Sequence, residues 1–272
     1  MGLRLRRLPS FFIHLVFWLA FPVHLCYNKG KKEQGSDRCS PILIFHLIDW
    51  EDFLMQLKNA KINFLGDSIT EGCGTSGEHA RFSNLIAERC ELGVMRNYGI
   101  SGTRFARQDN VLGDPRWELD FCKRALEMDD DADAVVVFGG TNDFGHGSAP
   151  IGEPTDRTPY TFYGACHTLM SSLIEKYPGK PIVFLTPLHR FNEDDPHGDI
   201  GKEDSLPLVG YVNIIKEVAA YYSLPVLDLW SVSGLQCRVP IIRERFVPDG
   251  LHPNDAGHVI LADRISAFLL AL

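Results

Sequence analysis

The chain has 272 residues, 45% of them hydrophobic and 23% charged, proportions of an ordinary globular protein with no tract biased enough for disorder or internal repeats. A formal net charge of -8 weighs against a nucleic-acid binder, which meets phosphates with a basic patch. The seven cysteines (Cys26, Cys39, Cys73, Cys90, Cys122, Cys166 and Cys237) are odd in number and form no Cys-x-x-Cys pair. Neither a zinc site nor a disulfide framework is indicated, and most read as small core residues in a reducing compartment.

Residues 1–54 stand apart from the rest. "MGLRLRRLPS" is basic and "FFIHLVFWLAFPVHLC" is apolar, together resembling the first two regions of an export signal. The apolar run is shorter than the ~20 residues of a membrane span, contains His14, Pro22 and His24, and is not followed by a clean small-x-small cleavage site. Met55 opens "MQLKNAKINFLGDSIT", a natural beginning for a domain. Two readings stay open: export or anchoring through residues 11–26, or translation from Met55 and a cytoplasmic protein of residues 55–272.

From Lys61 onward, short β-rich runs alternate with segments of helical period, the pattern of a parallel sheet wrapped by helices. "KINFLG" is the first predicted strand. "HARFSNLIAERCEL" spaces Phe82, Leu85, Ile86 and Arg89 as one helix face, and "VMRNYG" is a second strand. "PRWELDFCKRALEM" predicts a helix with Trp117, Leu119, Phe121 and Leu126 as its apolar set. "DADAVVVFGG" is the clearest strand, its Val run suited to burial on both faces. A helix over 159–177, a strand in "PIVFLTP", a helix over 206–222, a strand in "LPVLDLW" and a closing helix over 254–272, N-capped by Asn254 or Asp255, complete the pattern.

Five strands separated by helices predict one α/β domain: a three-layer α/β/α sandwich around a flavodoxin-like, doubly wound, five-stranded parallel sheet. The right-handed crossover rule gathers the strand carboxyl ends on one edge, where ligands bind in such sheets. The polar loops 147–159 and 189–205 leave that edge and are candidates to shape a pocket. Within the second, "HGD" at 197–199 beside Asp194 and Asp195 reads as a solvated acidic stretch.

Ser68 follows the first strand, in "INFLGDSITEG". A phosphate loop needs a Gly-x-x-x-x-Gly-Lys spacing that this stretch lacks. Two readings remain, a turn capped by Asp67 or Ser68 and a nucleophile. A serine nucleophile requires a histidine base oriented by a carboxylate. "VPDGLHPNDAGH" supplies Asp249 and His252, three residues apart, on a loop after the last strand. It also requires donors aimed at the developing oxyanion. Gly102 in "NYGISGT" can offer a backbone N–H to a close ligand, and Asn142 in "FGGTNDF" a side-chain amide. Taken singly, each of these residues is as well explained by a turn or a cap. Their joint placement after successive strands favours the site.

The blocks "GDSIT", "SGT", "GTND" and "DGLHP", in this order, resemble the GDSL, or SGNH, hydrolase family from about Lys61 to the C-terminus. The resemblance implies that Ser68 is the nucleophile, His252 the general base and acid, and Asp249 its orienting partner, with the Ser68 N–H, Gly102 and Asn142 forming the oxyanion hole. Ile69 stands where the family name has Leu, and no Gly-x-Ser-x-Gly elbow surrounds Ser68. The expected activity is ester hydrolysis through an acyl-enzyme on a small-molecule substrate, without metal or organic cofactor. A short acyl group, such as acetyl, on a carbohydrate or another polar carrier suits the polar loops. The alternatives are a lipase, lysophospholipase or thioesterase for longer chains, and a binding module that has lost turnover. Oligomeric state is not legible.

Overall fold

The computed structural model describes residues 57–108, 115–203 and 205–272, so the expectations for residues 1–54 lie outside the described residues. Five strands form one parallel sheet: β1 (Lys61–Gly66), β2 (Val94–Gly99), β3 (Ala134–Phe138), β4 (Ile182–Leu185) and β5 (Val226–Leu227), in the order β2-β1-β3-β4-β5. Each predicted strand is present, and the order is the flavodoxin-like one, with its switch point between β1 and β3. The register pairs Gly66 at the end of β1 with Gly99 on one side and Phe138 on the other. The three strand ends that precede Ser68, Gly102 and Asn142 therefore lie side by side.

The α-helices are α1 (Ser68–Glu71), α2 (Phe82–Arg89), α3 (Phe121–Glu127), α4 (Thr141–Gly145), α5 (Phe162–Lys176), α6 (Leu208–Tyr221), α7 (Leu229–Val232), α8 (Pro240–Phe246) and α9 (Asp255–Leu270). Successive strand residues face opposite sides of a sheet, and both sides of β3 are covered. Val135 and Val137 join the core beneath α3, α5 and α6, while Ala134, Val136 and Phe138 join the core beneath α2 and α9. That double burial is the physical reason for its uninterrupted Val run, each such side chain contributing about 1.5–3 kcal/mol on leaving water.

Caps fix several helix starts. Thr161 accepts the Gly164 N–H at 3.1 Å to begin α5, and Asn254, rather than Asp255, accepts the Gly257 N–H at 3.1 Å to begin α9. Asp120 likewise accepts the Lys123 N–H at 2.8 Å, which breaks the single helix expected over 115–128 into a 3-10 turn (Pro115–Glu118) followed by α3. The break rotates the register, so Phe121 is buried while Leu126 is 60% exposed. In α2, Phe82 and Ile86 are buried, but Arg89 faces solvent and pairs with Asp263. Two short helices, α7 and α8, stand between β5 and Asp249 where the sequence suggests only a loop. None of the α8 side chains is buried, so "PIIRERF" has no core-facing period to betray it.

Candidate active site

The capping reading of "GDSIT" is met by Asp67. Asp67 is the N-cap of α1, its Oδ1 accepting the Ile69 N–H at 3.0 Å. Ser68 is therefore the first residue of a helical turn, where the backbone N–H has no intrahelical acceptor. Gly72 ends the turn with φ 100°, a left-handed conformation that glycine adopts without strain. Burial pushes the Asp67 carboxyl up to about 6, against the lowering pull of the Ile69 N–H, His252 and Arg124.

The Ser68 hydroxyl lies 3.0 Å from His252 Nε2. On the other side of the ring, Nδ1 is 2.7 Å from Asp249 Oδ2. The second Asp249 oxygen accepts the backbone N–H groups of Leu251 at 2.9 Å and His252 at 2.7 Å, a local Asx-type turn that fixes the carboxylate. Burial opposes ionisation of Asp249, but these two N–H groups and the His252 ring outweigh it and hold its pKa below the ordinary value. An ionised acceptor at Nδ1 places the ring proton there and leaves the Nε2 lone pair facing the serine hydroxyl.

The His252 loop is stitched to the segment after Ser68. Ser76 donates its N–H and its hydroxyl to Asp255, at 2.7 and 2.6 Å. Gly74 has φ +92°, and a Cβ there would stand 2.5 Å from the Pro253 carbonyl oxygen and 3.2 Å from His252 Cβ. The chain at residue 74 can thus pass beneath the histidine only without a side chain.

Gly102, with φ +77°, turns the backbone after β2. Beside it, the Ser101 N–H donates to Glu71 Oε2 at 2.6 Å and the Ser101 hydroxyl donates to the same oxygen. The side chain at the end of α1 thereby holds the Gly102 turn. Cys73 Sγ lies 3.1 Å from Ser101 Oγ. Asn142, buried in α4, donates one amide N–H to the Thr103 carbonyl at 3.0 Å, which orients the amide and leaves a second donor. Asp143 accepts the N–H groups of Phe105 and Ala106, both at 2.9 Å; burial raises its pKa to about 6 despite those bonds and the nearby Arg104 and Lys202. Gly102 and Asn142 are thus joined to each other through residues 103–106, and Gly102 to the Ser68 turn through Glu71. Ser68, His252 and Asp249 form one hydrogen-bonded chain.

Several contributors carry no sequence signal. The loop 189–205 braces the segment that carries Asn142. Arg190 donates to the Thr141 carbonyl at 3.3 Å and Lys202 to the Asp143 carbonyl at 2.6 Å, so two cations from one loop grip the residues on either side of Asn142. Asp199 is exposed, as the solvated reading of 197–199 expects, and it is also bonded inward. Its carboxylate accepts from Arg190 and its N–H donates to the Gly145 carbonyl at 2.7 Å, while His197 and Asp195 remain exposed. In loop 147–159, the Pro159 carbonyl accepts the Arg107 N–H at 2.6 Å.

Among the described residues no group of three or more His, Cys, Asp or Glu is arranged to hold a metal ion, and no helix is long and apolar enough to cross a membrane. The five described cysteines are free thiols, Cys73 half-buried and the others buried.

Residues 64–260 match the family model of the GDSL-like lipase/acylhydrolase family. One crystal structure similar to this chain is 34% identical, covering 79% of this chain and 98% of the other, with a TM-score of 0.69. A crystallised protein from Lactobacillus plantarum is 27% identical over 79% of this chain and 98% of its own, with a TM-score of 0.68. A carbohydrate acetylesterase family member from Sinorhizobium meliloti has the same fold at 16% identity, covering 78% of this chain and 100% of its own, with a TM-score of 0.53. No curated protein matches the chain.

Proposed function

From the premise that this chain belongs to the GDSL-like lipase/acylhydrolase family, and so hydrolyses ester bonds, we propose that it does so by a Ser68–His252–Asp249 triad through an acyl-enzyme. The observation that carries this reading is the unbroken chain from Ser68 Oγ to His252 Nε2, at 3.0 Å, and from Nδ1 to Asp249 Oδ2, at 2.7 Å. Ser68 attacks the ester carbonyl carbon as His252 Nε2 takes the hydroxyl proton. Asp249 stabilises the imidazolium and keeps its Nδ1 proton in place. The negative charge that collects on the carbonyl oxygen is met by the N–H groups of Ser68 and Gly102 and the free amide donor of Asn142. Collapse expels the alcohol, which receives the proton from His252. A water molecule then gives a proton to the same nitrogen and attacks the acyl carbon; on collapse the acid leaves and His252 returns that proton to Ser68 Oγ, restoring the hydroxyl.

A short acyl group on a polar carrier is the substrate class we favour. Loops 147–159 and 189–205 are rich in Gly, Pro, Asp and His, whereas an enzyme for long chains presents a more apolar rim. Hydrolysis of p-nitrophenyl acetate, butyrate and octanoate by the chain, beside its Ser68→Ala variant, tests both levels. Acetate activity that disappears in the variant supports the triad and the short acyl group. Turnover rising with chain length overturns the substrate class, and equal activity of the two proteins overturns the role of Ser68.

A further inference from the structure

Arg124 sits on α3 within "CKRALEM", where a helical arginine ordinarily runs its charged head out to water. Here it is only 5% exposed. Its Nε donates to the Leu119 carbonyl at 3.0 Å, Nη1 to the Tyr98 carbonyl at 2.6 Å, and Nη2 to the Gly66 carbonyl at 3.0 Å and to Thr103 Oγ1 at 2.7 Å. The Phe121 ring lies 4.7 Å from its Cζ. Among the described residues none of its hydrogen-bond partners is a carboxylate. Burial draws the guanidinium pKa down to about 10, so the group is still a cation at neutral pH. Asp67 and Asp120 favour the charge through space, but every hydrogen bond the cation makes goes to a neutral oxygen, so its donors serve to hold backbone in place rather than to pair a carboxylate.

The oxygens it binds are grouped by position. Gly66 ends β1 two residues before Ser68, Tyr98 is the penultimate residue of β2, and Thr103 directly follows Gly102. The Thr103 carbonyl in turn receives the Asn142 amide, while the Thr103 hydroxyl donates to the Ile100 carbonyl at 2.6 Å. One rigid, planar group therefore joins the segment before Ser68 to the segment around Gly102 and, one residue further, to Asn142.

We propose that Arg124 is the positioning residue of the oxyanion site, its guanidinium fixing the mutual spacing of the Ser68 N–H, the Gly102 N–H and the Asn142 amide before substrate arrives. The inference rests on the assignment of these three donors in the proposed function. Fixed donors stabilise a developing oxyanion because they need not reorient when the charge appears. Loosening them should lower kcat and leave KM nearly unchanged, since the uncharged ground-state carbonyl draws little on them.

The test compares Arg124→Ala, Arg124→Lys and Thr103→Val with the unaltered chain and Ser68→Ala. It measures Tm, kcat and KM for p-nitrophenyl acetate, and the affinity for a trifluoromethyl ketone whose adduct oxygen occupies the oxyanion site. Folded Arg124 variants are expected to lose about 10–10²-fold in kcat, with KM within about twofold and a parallel loss of ketone affinity. Guanidinium ion at low concentration should restore part of the Arg124→Ala loss, which a general loosening of the fold would not allow. Lysine, with one nitrogen in place of the planar fork, should not substitute. Unchanged kcat in folded Arg124→Ala, or a loss confined to KM, overturns the proposal. If the Arg124 variants do not fold, Thr103→Val decides alone: a kcat-selective loss supports it, and wild-type kcat and ketone affinity overturn it. Activity that survives Ser68→Ala overturns the serine mechanism and this inference with it.

Discussion

Replacing Asp249 by asparagine should damage the enzyme more than replacing it by alanine. Both Asp249 oxygens act as acceptors, Oδ1 for the Leu251 and His252 N–H groups at 2.9 and 2.7 Å and Oδ2 for His252 Nδ1 at 2.7 Å. An asparagine amide keeps only one acceptor, and the two N–H groups claim it. Its NH2 then faces Nδ1 as a donor, which moves the ring proton to Nε2 and removes the lone pair that must take the Ser68 proton. Turning the amide back abandons two backbone hydrogen bonds, at about 1 kcal/mol net each. The lost attraction between carboxylate and imidazolium lies between about 1 and 4 kcal/mol at ~4 Å; with the Asp249 side chain 53% exposed, about 2 kcal/mol is appropriate. The two contributions total about 4 kcal/mol, or ~10³-fold in kcat. Alanine forfeits only the second, since water can enter the half-open site, and should cost about 30-fold. Steady-state hydrolysis of p-nitrophenyl acetate at pH 8 measures both. An Asp249→Asn variant faster than Asp249→Ala, or within tenfold of the unaltered chain, would refute the reasoning.

Asp67→Asn should keep the α1 cap, because asparagine caps as well as aspartate, while removing a buried charge. The Asp67 pKa is raised from 3.8 to about 6, so across that window the folded state binds more protons than the unfolded state and stability falls as pH rises. Calorimetry should find the variant at least as stable at pH 7.5, with a shallower decline of Tm over that window; a Tm several degrees lower at pH 7.5 would contradict this. In Gly99→Ala the new Cβ would lie 2.2 Å from the Glu71 nitrogen and 2.6 Å from the Thr70 carbonyl carbon, forcing α1 away from β2. The expected outcome is a loss of about 1–3 kcal/mol in urea unfolding and ~10²-fold in kcat through misplacement of Ser68. Asn254→Ala removes the α9 cap and a bond to the Arg245 carbonyl at 2.9 Å, and should cost about 1 kcal/mol in the same unfolding assay.

The sheet, and the gathering of the candidate site residues at one edge of it, are legible in the sequence because both depend on short-range signals. A Val run between Asp and Gly specifies a buried strand whatever its partners, and residues that follow parallel strands arrive at a shared edge by topology alone. The parts that escape are those decided by partners distant in sequence. Arg124 sits among Lys123 and Glu127 and resembles any solvated helical cation until Gly66, Tyr98 and Thr103 close around it. Arg190 and Lys202 lie in a polar loop, and nothing local says that they grip the carbonyls of Thr141 and Asp143. The fractured 115–128 helix follows from Asp120, whose capping role competes with a pattern that also fits a continuous helix. In α8 the missing signal is physical: with Ile241 48% exposed, its apolar residues do not mark a buried face.

Ser68 and His252, whose side chains meet, are 184 residues apart in the sequence, and the bonds from Ser76 to Asp255 tie the two segments together. A ribosome, working from the N-terminus, makes Ser68 early and His252 near the end. Until α9 docks and brings His252 over Ser68, the nascent chain carries an alcohol no more reactive than any other serine. On the proposed mechanism, turnover would arrive in one step with completion of the fold, and a chain interrupted before residue 252 would be chemically silent. The same separation makes the protein a natural candidate for complementation: two fragments cut at an exposed turn such as Gly179 would each be inert, and hydrolysis would report their reunion.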